Sequence, residues 1–191
     1  MKLYALTVRR WWLMPPAVLL AAVLCVIAGR SVVPLPQLVI GAGAGKLSYF
    51  LPVVITAAMI YCMDRRLSQV ELTAVTPVHI WDRLSLLATA ILTLACSPFT
   101  GFDVARNIIF VMALTLAVRR LTNESTAIAV GFLYITTCLM LGRQFDPQGH
   151  FQGSWWALPL YPTQDIPAAV ATAVAFALAL AFGVRPRLRT Q

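Results

Sequence analysis

The chain has 191 residues, 60% of them hydrophobic and 12% charged, with a net charge of +8. The charged share is about half the ~25% of an ordinary soluble domain. A chain this short has no interior large enough to hide so much apolar surface, so a soluble enzyme and a disordered chain are both excluded. Lipid is the solvent that suits it. A bilayer span takes roughly 20 mostly apolar residues, so about six spans use most of the length and leave no room for a separate soluble domain.

Span 1 takes residues 12–28, with Pro15 and Pro16 in its first turn. The Arg9-Arg10-Trp11-Trp12 start looks like an export signal, but the segment reads as a retained first span. A Pro- and Gly-rich loop over 30–46 follows. It contains Gly41-Ala42-Gly43-Ala44-Gly45-Lys46, which imitates a phosphate-binding loop. Such a loop needs GxxxxGK followed by Ser or Thr. Here Ile40 stands at the first glycine position and Leu47 follows the lysine, so nucleotide binding is rejected. Span 2 covers 47–63 and ends at Asp64-Arg65-Arg66, and a polar stretch leads to Arg83. Span 3 covers 84–99, and Pro98 and Gly101 mark a tight turn. Span 4 covers 102–118 and stops at Arg119-Arg120. Span 5 covers 125–141. A longer segment, 142–165, carries Trp155, Trp156, Pro159, Tyr161 and Pro162. Span 6 covers 166–184, and Arg185, Arg187 and Arg189 close the sequence. The whole of 1–191 is therefore expected to be one all-α transmembrane domain.

Charge orients it. With both termini in the cytoplasm, the inner side holds Lys2, Arg9, Arg10, Arg65, Arg66, Arg83, Arg119, Arg120, Arg185, Arg187 and Arg189. The outer side holds Arg30, Lys46, Arg106 and Arg143. Eleven of the 15 basic residues then lie inside, as the positive-inside rule requires. The same bias accounts for the net charge through topology and lipid headgroups, and no basic run interleaved with aromatics points to nucleic acid.

Two further patterns concern packing. Span 6 carries small residues at a spacing of four, Ala169, Ala173, Ala177 and Ala181, with a second ridge at Ala171, Ala175, Ala179 and Gly183. Small residues let helix backbones approach closely in lipid, so a tight helix contact within or between subunits is expected there. Trp155, Trp156 and Tyr161 favour the headgroup boundary. With the nearby prolines they are expected to form short helices at the outer surface that cap the bundle against bulk solvent.

Catalytic chemistry is missing. Asp103 and Arg106 are the only ionisable residues close to a span, three apart on one helix face, and read as an interface anchor pair. A proton-coupled transporter wants a deeper carboxylate. His79 and His150 fall in opposite aqueous loops, so no membrane haem is ligated. There is no HExxH and no GxSxG. Cys25, Cys62, Cys96 and Cys138 lie in apolar segments without a CxxC pair. No catalytic, cofactor-binding or metal-ligating residue is assigned, and the chain is not read as an enzyme. A small lipid-modifying enzyme would have only Asp146, His150 and Asp165 to use. That reading, with a non-transporting assembly or regulatory subunit, is the alternative.

The inner stretch after span 2 reads Arg66-Leu67-Ser68-Gln69-Val70-Glu71-Leu72-Thr73-Ala74-Val75-Thr76-Pro77-Val78. Leu67, Val70, Ala74 and Val75 share one helical face, and Pro77 ends the helix. On physical grounds residues 67–77 form an amphipathic helix that lies on the membrane surface or docks a partner. Glu71 to Val78 resembles the Glu-Leu-Leu-Leu-Ala-Thr-Pro-Val stretch of type 2 ATP-binding-cassette permeases, in spacing and in place between spans 2 and 3. The chain departs from that family in having Ser68-Gln69 and Arg83-Leu84 where Gly-Thr and Gly-Lys are common, and in being short. The resemblance implies six spans with both ends inside and short re-entrant helices between spans 5 and 6. It implies that 67–77 is a coupling helix, with Glu71, Thr76, Pro77 and Val78 meeting a cytosolic ATPase. ATP and Mg would be bound by that partner. A second permease subunit would complete the pathway, in a bacterial inner membrane, with export as the direction. The lack of a charged pocket favours an amphiphile, peptide or lipid as cargo over a small ion.

Overall fold

In a computed structural model, residues 10–29, 31–37, 41–64, 78–145 and 151–183 are described. They are mostly helical, and six long helices fall at the six apolar segments: α1 Met14–Ala28, α2 Leu51–Asp64, α3 Val78–Ala95, α4 Phe102–Leu121, α5 Glu124–Leu141 and α6 Ile166–Gly183. Among the described residues three stretches are long and apolar enough to cross a membrane: Trp11–Ala28, Leu47–Asp64 and Glu124–Leu141. The apolar run Ile166–Phe182 is slightly shorter. α3 opens with His79, Asp82 and Arg83, and α4 carries Asp103, Arg106, Arg119 and Arg120. Those charges sit at or near the ends of helices whose middles are apolar.

Proline marks several helix starts. Pro15 and Pro16 open α1, Pro52 opens α2 and Pro167 opens α6. The first turn is where a missing N–H costs nothing and a fixed φ helps. One helical turn at Ser97–Thr100 links α3 to α4 through Gly101, whose φ of 99° is strained for any residue with a side chain.

α4 is the central helix. It packs on α6, α2, α5 and α3, and Ala105, Val111, Met112 and Leu116 along it are buried. Polar side chains inside the bundle satisfy themselves locally. Thr56, Thr89, Thr93, Thr115 and Thr172 are buried, and each hydroxyl donates to the carbonyl four residues back in its own helix. The outside is apolar instead: Val23, Val26 and Ile27 on α1, and Val170, Val174, Leu178 and Phe182 on α6, are all more than half exposed. Continuous apolar surface of this kind belongs to a membrane protein.

Two parts of the expected all-α layout differ. The 30–46 loop contains a hairpin, β1 Val32–Gln37 paired antiparallel with β2 Gly41–Lys46. Pro34 and Pro36 are tolerated because both strands of a two-stranded ribbon are edges. The glycine run that imitates a phosphate loop is thus a strand. Between α5 and α6, the described residues show in place of the expected re-entrant helices a second hairpin, β3 Arg143–Phe145 with β4 Phe151–Gly153, and a 3-10 turn at Leu158–Leu160. Pro159 and Pro162 leave too few consecutive backbone donors for a longer helix.

Candidate functional site

The helix ends gather at two faces. At the first face lie the start of α1, the end of α2, the starts of α3 and α5, and the ends of α4 and α6. Polar ties join them. Trp11 Nε1 donates to Asp82 Oδ1 at 3.1 Å, and both residues are buried. Arg10 Nη1 donates to the Tyr61 hydroxyl at 3.4 Å. Arg119 Nη2 donates to the Met63 carbonyl at 3.1 Å and to Glu124 Oε1 at 3.3 Å. Arg83 Nη2 donates to the Ala181 carbonyl at 3.0 Å, and Arg120 Nη1 donates to the Phe182 carbonyl. Met63, Ala181 and Phe182 lie in the last turns of α2 and α6, whose carbonyls have no partner within the helix. A guanidinium there also complements the negative end of the helix dipole.

The second face is built around Arg106 and Asn107 on α4. Arg106 is 2% exposed. Its Nη1 donates to the Pro162 carbonyl at 3.1 Å, and its Nη2 donates to the carbonyls of Leu158 and Tyr161 at 3.2 and 2.7 Å. Asn107 Nδ2, also buried, donates to the Pro159 carbonyl at 3.0 Å. From α5, the Tyr134 hydroxyl donates to the Trp156 carbonyl at 2.8 Å. Ser154 N–H donates to the Gly142 carbonyl at 3.0 Å. A Cβ at Gly142 would come 2.6 Å from Ala157 Cβ, so glycine is what lets the segment seat against the end of α5. Ala157 and Leu160 are buried against Val111, Ile135, Cys138 and Leu139. Asp165 Oδ1 accepts the Ala168 N–H at 3.1 Å and caps the start of α6. An irregular stretch of backbone is thereby fixed by side-chain donors, the arrangement such backbone requires at membrane depth.

The expected residues fall as follows. Arg106 spends its hydrogen bonds on three carbonyls, and Asp103 and Asp165 act on it through their charge. Trp155 is 85% exposed. Trp156 is half-buried against α5, and Tyr161 is half-buried with its carbonyl held by Arg106. None of the three is in a helix. Ala173, Ala177 and Ala181 are exposed and Ala169 is half-exposed. The buried side of α6 is instead Ala168, Thr172, Phe176 and Ala179, of which only Ala179 belongs to either small-residue ridge. Glu71, Thr76 and Pro77 lie outside the described residues, as do Asp146 and His150. Val78 is the first residue of α3. The four cysteines are free thiols.

Asn107, Tyr134 and the Trp11–Asp82 bond were not anticipated. Asn107 did carry a signal, since an amide beside an arginine inside an apolar run needs a partner. The other two depend on contacts far apart in sequence. Among the described residues no three or more His, Cys, Asp or Glu side chains come together. The arrangement fixes and links helices. Comparison with protein-family models, with curated proteins and with solved structures finds no match.

Proposed function

We propose that this chain is the membrane-spanning permease subunit of an ATP-driven exporter of the type 2 ATP-binding-cassette kind. One observation carries the reading. Helix ends alternate between the two faces, so α2 ends at Asp64 and α3 starts at Val78 on the arginine-rich face, and these two residues flank the stretch that holds Glu71, Thr76 and Pro77. In this reading all six helices cross the bilayer, that face is cytoplasmic, and residues 67–77 dock on a separate ATPase that binds ATP and Mg. A second permease subunit completes the pathway.

The ties at that face supply the mechanics. Closure of the ATPases pulls on 67–77 and moves the end of α2 and the start of α3. Asp82 on α3 is bonded to Trp11 ahead of α1, and Arg83 to the last turn of α6. The pull is therefore shared with α1 and α6. The opposite face stays fixed, because Arg106 and Asn107 hold residues 158–162 to the central helix. That segment closes the pathway on the outer side.

The test is Glu71→Gln in the complex purified with its ATPase. The variant keeps size and most hydrogen bonding and removes the charge. Assembly is expected to survive while transport and substrate-stimulated ATP hydrolysis fall together, by tenfold or about 1.4 kcal/mol of coupling. Unchanged stimulation with slightly lower expression would reduce Glu71 to a helix-end charge, worth about 0.3–1 kcal/mol.

A further inference from the structure

We infer that the groove between α1 and α2 at the arginine-rich face binds one anionic phospholipid, its phosphate held by Arg10 and its acyl chain laid in the groove. The inference rests on the membrane reading with this face toward the cytoplasm, and not on the ATPase.

Backbone strain is the first observation. Arg10 has φ 53°, the only positive φ outside glycine among the described residues. A long side chain rarely adopts that conformation. It is held here because the Arg10 carbonyl accepts the Leu13 N–H at 2.9 Å and the Cys62 thiol at 3.5 Å. The consequence is that the guanidinium reaches α2 at Tyr61, where its hydrogen bond goes to a hydroxyl and not to a carboxylate. Strain of this kind at a surface charge points to a positioned group.

The groove is the second. It has a volume of about 410 Å³ and is lined by Pro16, Ala17 and Leu20 on α1 and by Ala57, Ala58 and Tyr61 on α2. That size is within the roughly 300–1,000 Å³ of ligand pockets. Its walls are hydrocarbon apart from the Tyr61 hydroxyl, so water gains little there and an acyl chain fits. The alanines make the depression, being flanked by larger residues. Trp12 and Tyr61, 54% and 43% exposed, lie at the Arg10 end, as interfacial aromatics do at headgroup depth.

Charge selects the occupant. The cytoplasmic leaflet carries the anionic lipids, and basic pockets between helices on that side hold their headgroups. A second copy meeting this groove through a two-fold axis would bring Arg10 against Arg10. A phosphodiester instead pairs with the guanidinium and carries its own hydrocarbon into the groove.

Native mass spectrometry of the full chain in mild detergent, with equimolar phosphatidylglycerol and phosphatidylcholine of matched chains, tests this. One phosphatidylglycerol is expected to be retained about fivefold over phosphatidylcholine, the scale of one basic residue at an anionic surface. Arg10→Gln is expected to abolish the preference. Arg10→Gly relaxes the backbone, so it is expected to keep or raise the thermal midpoint while also losing the preference, which separates charge from folding. Ala58→Phe is expected to lower retention of both lipids by filling the groove. Equal retention by the unmodified chain, or an unchanged preference in both Arg10 variants, overturns the proposal. So does efficient disulfide cross-linking of Ala58→Cys between two copies in native membranes, which would make the groove a subunit contact. Removing the ATPase is expected to leave the lipid preference unmoved, so failure of the exporter reading would not be mistaken for failure of this one.

Discussion

The two faces of the bundle both use arginine against backbone carbonyls, and they use it differently. Arg106 is buried and spreads two nitrogens over three carbonyls of one irregular segment. Arg83, Arg119 and Arg120 are more exposed, and each reaches the last turn of a neighbouring helix. A guanidinium fork shared by one loop locks that loop in a single place. Bonds from one helix to the last turn of its neighbour, one from Arg83, one from Arg120 and a pair from Arg119 to Met63, link two rigid bodies and still allow them to tilt. The first arrangement suits a fixed cap and the second suits moving parts.

Substitutions sharpen or break that contrast. The largest effect is expected at Arg106. Arg106→Met removes three hydrogen bonds from a charged donor, worth about 1.5–3 kcal/mol each; the Leu158 and Pro162 carbonyls keep the N–H groups of Tyr161 and Asp165, and the Tyr161 carbonyl loses its donor. A fall of more than about 3 kcal/mol in unfolding free energy in mild detergent is expected, with faster amide exchange over residues 154–165. Arg106→Lys is expected to recover only part of this, since an ammonium lacks the planar fork. Asn107→Ala removes one donor, to the Pro159 carbonyl, and is expected to cost about 1–2 kcal/mol by the same measurement. Tyr134→Phe removes the bond to Trp156 and is expected to cost about 1 kcal/mol. Arg120→Gln is expected to change stability least, by about 0.3–1 kcal/mol, with faster exchange confined to the last turn of α6. Were Arg120→Gln as damaging as Arg106→Met, the contrast between the faces would be lost.

Much of the bundle was legible because its helices are written in two local codes. Apolar runs of the right length give the six segments, and Pro15, Pro52 and Pro167 sit where first turns tolerate them. The grouping of Arg83, Arg119 and Arg120 at one face follows from alternation along the chain. The segments that connect the helices were less legible. Strands β1 and β2 are built from Val-Val-Pro-Leu-Pro-Gln and Gly-Ala-Gly-Ala-Gly-Lys. Neither has the β-branched and polar alternation that marks a strand, and only their pairing makes them one. Trp155 and Tyr161 stand in the segment between α5 and α6 that was expected to be helical, but the prolines around them stop a helix from forming there. Asp103, three residues before Arg106, suggested a local pair. What Arg106 reaches instead lies 52 to 56 residues away, and nothing in the spacing announces it. The small-residue ridge of α6 misled for a related reason. Every face of an alanine-rich helix offers small residues, and Thr172 and Phe176 decide which one is buried.

The central claim, that the stretch between α2 and α3 docks on a cytosolic ATPase, is tested most directly by a photo-cross-linking amino acid in place of Val75 in intact membranes. The account predicts an adduct with a distinct subunit that itself labels with a photoreactive ATP analogue. It also predicts that the adduct disappears when that subunit is deleted. Modification of residue 75 by a membrane-impermeant reagent from outside intact cells would contradict the account, as would full function of the purified chain with no ATP-binding subunit present.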